Sequence, residues 1–222
     1  KSLTFKKGDN LIVVSEQGLG DTIQFMRYIK HLKDIGVNVT FCAQESLHSI
    51  IKASSIHSTP LKPKEGDKLT DHKWLPLLSL PKILNITPQK PIINSPYISS
   101  TTKLKNKWKA LLNQEEKPVI GIHWQGNPRQ EKNMIYKRSI PLELFEVLVK
   151  KNDIKLLSLQ KGEGSEQINT CTFKENFVSC QNSINEIWDF DENAAILSNC
   201  DLVITSDSAL AHLSGGVGQK TW

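Results

Sequence analysis

The chain has 222 residues, which allows one large domain or two of ordinary size. With 38% hydrophobic and 23% charged residues it reads as a globular protein able to bury a real core. Its 28 basic residues against 23 acidic ones leave a net charge of +5, a scattered excess that fits an anionic substrate or a solvated helix face and argues against a nucleic-acid partner. No apolar run approaches the roughly 20 residues that span a bilayer, and the first residues do not form a signal peptide. Cys42, Cys171, Cys180 and Cys200 show no C-x-x-C spacing, so neither a zinc knot nor a redox pair is indicated. Reduced thiols in a cytoplasmic protein are expected.

Residues 10–14 form an apolar run of strand length. Gly18-Leu19-Gly20 then turns the chain into an amphipathic run, with Ile23, Met26, Ile29 and Leu32 at near-helical spacing. The pattern predicts a helix over 21–35 stopped by Gly36, a strand over 37–43 and a short helix over 45–53. Residues 54–71, with Pro60, Pro63 and Glu65-Gly66-Asp67, read as mostly loop with a short strand. The apolar stretch 74–81 is broken by Pro76 and Pro81 and reads as buried and irregular, leading to a short helix near 82–85. Pro88, Pro91 and Pro96 mark an extended passage ending at Tyr97.

Composition shifts at Ser99-Ser100-Thr101-Thr102, and a Lys-rich helix over 103–113 follows, read as a linker. A second alternating block begins with a strand over 119–123, a polar loop to Ser139, a helix opened by Pro141 and running to Lys150, and a strand over 154–159. A weak strand around Phe177-Val178 leads to a helix from Asp191 through Ser198 and a strand over 202–205. Ser206-Asp207-Ser208 caps the next helix, and Gly215-Gly216 end it. Lys220-Thr221-Trp222 reads as the start of another strand.

Two βα blocks in tandem imply an α/β fold of two Rossmann-like domains facing one another across a cleft. The expected division is 1–100, a linker with its helix over 101–117, and 118–222. The last strand leaves the second sheet incomplete, so the chain reads as truncated at its C-terminal end.

The chemistry is narrowed first by what is missing. Ile23 stands where a dinucleotide fingerprint has its third glycine, and no G-x-x-x-x-G-K-S/T loop is present. The six histidines are dispersed without the i, i+4 spacing of helical metal ligands, and no G-x-S-x-G elbow offers an acyl nucleophile. What remains are three polar loops at the C-terminal edges of predicted strands, where open α/β sheets bind ligands. The first runs from Glu16 to Asp21. The second is His123-Trp124-Gln125-Gly126-Asn127, closed by Lys137-Arg138-Ser139. The third runs from Thr205-Ser206-Asp207-Ser208 to His212.

A strand that turns on glycines into a helix gathers free N–H groups and the positive end of the helix dipole at one point, which suits an anion. Asp21 lies in that first turn, either as a cap worth about 1 kcal/mol or as a general base. One acid, an Arg–Lys pair and a helix N-terminus together suit transfer from a diphosphate donor to a hydroxyl. Plainer roles stand beside these: Arg138 as a solvated loop charge, Ser206-Asp207-Ser208 as a cap only, His212 as a core histidine, and Trp124 as packing beneath its loop.

The stretch Glu16-Gln17-Gly18-Leu19-Gly20-Asp21-Thr22-Ile23-Gln24-Phe25-Met26-Arg27-Tyr28 resembles the start of the glycosyltransferase domain often fused behind tetratricopeptide repeats in bacteria. The stretches 74–81, 122–128, 138–142, 158–160 and 201–213 match it further, in order and over nearly the whole chain. That group is similar to glycosyltransferase family 9, the lipopolysaccharide heptosyltransferases, with the GT-B fold. The resemblance implies an inverting enzyme, with a nucleotide-diphosphate sugar as donor and an unidentified glycan, lipid or protein acceptor. It further implies no cofactor and no metal, repeats upstream, and peripheral contact with a membrane through the acceptor. Carried over, Asp21 is the general base and Gln17, Gly18 and Gly20 form the acceptor-side loop. Arg138, or Lys137 beside it, meets the donor diphosphate. Ser206, Asp207, Ser208 and His212 form the donor-binding helix start, and Gln125, Gly126 and Asn127 the loop below the donor. The rival is a non-catalytic carbohydrate- or protein-binding module that keeps the fold without turnover.

Overall fold

The computed structural model of the chain describes residues 5–70, 73–92, 96–132 and 137–222. The parts of the expected 54–71 loop, the passage to Tyr97 and the loop to Ser139 that fall on 71–72, 93–95 and 133–136 lie outside the described residues. The first half carries β1 (Asn10–Val14), α1 (Leu19–Phe25), α2 (Arg27–Asp34), β2 (Asn38–Cys42), α3 (His48–Ala53), α4 (Pro63–Gly66), β3 (Lys73–Pro76), α5 (Leu80–Ile83) and α6 (Thr102–Leu112). The second carries β4 (Val119–His123), α7 (Pro128–Glu131), α8 (Glu146–Lys151), β5 (Lys155–Ser158), α9 (Gln181–Asn185), α10 (Phe190–Leu197), β6 (Leu202–Thr205) and α11 (Ala209–Gly216).

The α/β class is found, with two sheets ordered β2-β1-β3 and β5-β4-β6 and every pair parallel. The central strands read as unbroken apolar runs because both faces are covered: Leu11, Ile12 and Val13 of β1 and Val119, Ile120 and Ile122 of β4 are all buried. Phe177 adds a parallel bridge beside Leu156, and Thr221 another beside Val203. Both lie where strands are expected.

Four local expectations are corrected. The helix over 21–35 is two helices: α1 begins earlier, at Leu19, and the ladder tightens at buried Met26, where the Ile29 N–H bonds to the Met26 carbonyl at 3.0 Å. Residues 73–76 are a strand rather than irregular chain, because Pro76 sits at the end of an edge strand where its missing N–H costs nothing to the ladder. Trp74 is 66% exposed on that edge instead of buried. The 54–71 loop holds α4, opened by Pro63, and Leu61 bridges Cys42. The helix after Pro141 starts as a 3-10 turn over 142–145 before α8.

One cluster of buried side chains runs through both halves, joining Leu11 and Val13 of β1 to Leu157 and Val203 beside β4. Trp108 is wholly buried on α6, and its indole N–H donates to Glu192 Oε1 at 3.0 Å, fastening α6 to α10. Asp189 caps α10 through the N–H groups of Asp191 and Glu192 at 2.9 and 3.1 Å. The Tyr97 hydroxyl donates to the Ile23 carbonyl at 2.9 Å, while the Tyr97 and Ile98 N–H groups both bond to the Gly216 carbonyl. The return segment thus stitches α1 to the end of α11.

Candidate functional site

The loop after β1 is held by side chains. The Thr22 hydroxyl donates to Gln44 Oε1 at 2.9 Å, Ser15 joins them, and Gln44 Nε2 donates to the Gln17 carbonyl at 2.7 Å. Glu16 accepts the N–H groups of Leu77 and Leu78 at 3.0 and 3.2 Å, tying the loop to the turn after β3. Asp21 reaches back to the Gly18 N–H at 3.1 Å, the acidic half of a capping box. One carboxylate oxygen is therefore engaged as a cap.

Gly20 places this helix start against the other half. A Cβ there would lie 3.1 Å from His212 Cδ2 and 3.3 Å from the Ala209 Cα. Both distances are tighter than an ordinary contact, so a side chain at this position would press on the first turn of α11, and the glycine lets the two helix starts come close without displacement. The contact sets Asp21 in the turn that faces the start of α11.

The loop after β4 is fastened from below. Gln160 Oε1 accepts the N–H groups of Trp124 and Gln125 at 3.3 and 3.0 Å, and its Nε2 donates to the Gln125 and Glu163 carbonyls. The Gly126 N–H bonds to Ser139 Oγ at 3.1 Å, and that hydroxyl lies 2.8 Å from the buried Glu131 carboxylate. Trp124 is fully buried as packing. His123 Nδ1 sits 3.2 Å from Ser206 Oγ and 3.5 Å from Ser208 Oγ, while Ser208 Oγ accepts the Leu210 N–H as the cap of α11. Burial pushes the His123 imidazole down to about 4, so the ring is neutral around pH 7. The half-buried Arg138 guanidinium stands 3.9 Å from the exposed Asp207 carboxylate. Lys137 beside it is exposed.

These loops open on a cleft of about 670 Å³. Gln125, Gly126, Asn127 and Ser208 line it, and Leu19 and Ser46 reach it from the first half. Asp21, Gln17, Gly18 and Gly20 do not line it, nor do Lys137, Arg138, Ser206, Asp207 and His212. The sequence reading missed Lys161, Trp188, Phe190 and Asn193, which do. For Lys161 the signal was there: it follows β5, whose C-terminal edge lies beside that of β4 and obeys the same strand-edge rule. Its ammonium donates to the Ile184 carbonyl, and burial pulls its pKa down to about 8. Trp188 and Phe190 carry no such mark, since the turn that presents them is visible only in three dimensions.

No family model matches the chain, and no curated protein sequence matches it. Solved structures do. A glycosyl transferase of family 9 from Veillonella parvula is similar over 100% of this chain and 82% of its own, with a TM-score of 0.67 and 13% identity. The Escherichia coli ADP-heptose LPS heptosyltransferase II is similar over 96% and 83%, at 0.62 and 12%. The dodecameric glycosyltransferase TibC from enterotoxigenic E. coli is similar over 99% of this chain and 58% of its own, at 0.63 and 11%. The fold is thus one that family 9 glycosyltransferases use. The expectation of a metal-free protein is corrected by the third of these, which is described as iron-containing. Likeness to this group does not imply the absence of a metal. Among the described residues no group of three or more His, Cys, Asp or Glu is placed to hold a metal ion. Also among the described residues, no helix is long and apolar enough to cross a membrane.

Proposed function

We propose that this chain is a glycosyltransferase that moves a sugar from a nucleotide-diphosphate donor to a hydroxyl acceptor with inversion. In this reading residues 118–222 hold the donor, residues 1–100 present the acceptor, and 101–117 link them. The donor nucleotide occupies the cleft, with its base against the apolar wall of Leu159, Phe190 and Leu213 and its diphosphate at the N-terminus of α11, reaching past the lining toward Arg138, which stands behind Gly126 and beside Asp207. Asp21 takes the acceptor O–H proton as the acceptor oxygen bonds to the anomeric carbon. The bond from that carbon to the phosphate oxygen breaks, and the diphosphate leaves with the electron pair. A single displacement inverts the centre.

The observation that carries this reading is the contact of the two helix starts at Gly20, Ala209 and His212, which sets the one first-turn acid of α1 against the start of α11. The fold likeness supports it, and the ADP-heptose in the name of one similar enzyme makes ADP the first nucleotide to test. The 3.1 Å bond from Asp21 to the Gly18 N–H favours the second reading, a binding module without turnover in which Asp21 only caps its helix. Asp21→Asn separates the two, since Asn caps about as well but cannot accept the proton. For an enzyme, turnover falls about 10²–10⁴-fold with nucleotide affinity and stability unchanged. Turnover that survives the substitution removes Asp21 from the mechanism.

A further inference from the structure

We infer that a second cavity, beside the cleft, is a binding site for a neutral oligosaccharide. This cavity measures about 710 Å³ and shares Gln160, Lys161 and Trp188 with the cleft. Its apolar base is the buried Ile168, Phe177 and Val178, brought together where Phe177 pairs beside Leu156. Around that base stand three side-chain amides, Asn169, Asn182 and Asn185. Asn185 is held by its Oδ1, which accepts from Gln181 Nε2 at 2.8 Å, and Gln181 is itself locked to the Ser158 N–H and carbonyl. The Asn185 NH₂ group is thereby left to donate. The described residues supply no hydrogen-bond partner to the side chains of Asn169 or Asn182. Trp188, 67% exposed, stands at the boundary of the two cavities.

The chemistry of this lining selects its ligand class. A pyranose has a flat C–H face and a rim of hydroxyls, each both donor and acceptor. An exposed indole face and an apolar base suit the first, and side-chain amides, which donate and accept in one plane, suit the second. Charge points the same way. Lys161 and Lys174 are offset by Glu166 and Glu175, so the cavity offers no net attraction for a phosphate-rich ligand. The first cavity differs, with a largely apolar wall suited to a nucleoside. The inference goes beyond the transfer reading and holds equally for a module without turnover.

The test titrates isotope-labelled protein with maltohexaose, laminarihexaose, cellopentaose and chitopentaose, following the amide signals of Asn169, Asn182 and Asn185 and the Trp188 indole. We expect at least one sugar to shift these signals saturably, and the exposed-site double variant Asn169→Ala/Asn182→Ala to weaken it about tenfold or more. ADP, followed at Gln125 and Ser208, should bind the double variant as it binds the parent. No saturable shift with any of the four sugars overturns the inference, as do shifts that persist undiminished in the double variant. Sugar shifts without any ADP shift uphold this site while removing the donor reading, so the two fail separately.

Discussion

His123→Gln isolates the cost of burying a titratable ring under the loop that lines the cleft. The imidazole is lowered from its ordinary 6.5 to about 4 because burial disfavours the charged form. At about 1.4 kcal/mol for each tenfold in proton affinity, that difference amounts to roughly 3 kcal/mol. The sign follows from proton counting. Below 6.5 the unfolded chain binds a proton that the folded chain refuses until about 4, so this stability is whole above 6.5 and is lost as pH falls toward 4. His57 is lowered in the same direction by burial, but it is present in both proteins and drops out of the difference. Gln keeps a polar group for Ser206 and Ser208 and does not titrate. Urea unfolding from about pH 7.5 to about pH 4.5 should show the parent losing stability more steeply than the variant, with the curves converging by 2 to 3 kcal/mol, roughly. Parallel curves would refute the assignment of a buried, neutral ring.

Arg138→Ala should weaken ADP binding by removing a charge-assisted contact to the diphosphate while leaving adenosine binding almost unchanged; equal losses for both ligands in calorimetry would remove Arg138 from the donor site. Gly164 has φ +89, and a Cβ there would lie 2.6 Å from Gln125 Cδ, so Gly164→Ala should cost about 1–3 kcal/mol in a thermal melt and weaken ADP through the displaced Gln125. An unaltered melting temperature would count against the geometry of that turn. Trp108→Ala should cost about 3–5 kcal/mol, because it opens a cavity between α6 and α10 and removes the indole donor to Glu192, which keeps its ion pair with Lys107; a loss below about 1 kcal/mol would show that α6 is not part of the shared core.

Much of the fold was legible in the chain itself. The central strands β1 and β4 lie where short apolar runs predict them, because a parallel strand covered on both faces carries its own signature, and β6 lies where its run of apolar residues predicts it beside β4. Ser208 is a cap in sequence and in space, whereas the cap at Asp189 was not singled out from the sequence and shows only in the structure. The strand Lys73–Pro76 was hidden because a proline speaks against a ladder, and only the tertiary arrangement reveals that it ends an edge strand.

The site divides in the same way. Gly18-Leu19-Gly20-Asp21, the Gln125-Gly126-Asn127 loop and Ser206-Asp207-Ser208 could be singled out by residue type and strand edge alone, since local geometry puts N–H groups at those points whatever surrounds them. Which of them share a cavity was decided by packing. The meeting of α1 and α11 at Gly20, the clamp of Gln160 under its loop, and the approach of Trp188 and Lys161 to the cleft from residues far along the chain depend on long-range contacts. No spacing in the sequence encodes such contacts. They arise when two sheets bury one continuous core and their strand edges are turned toward each other.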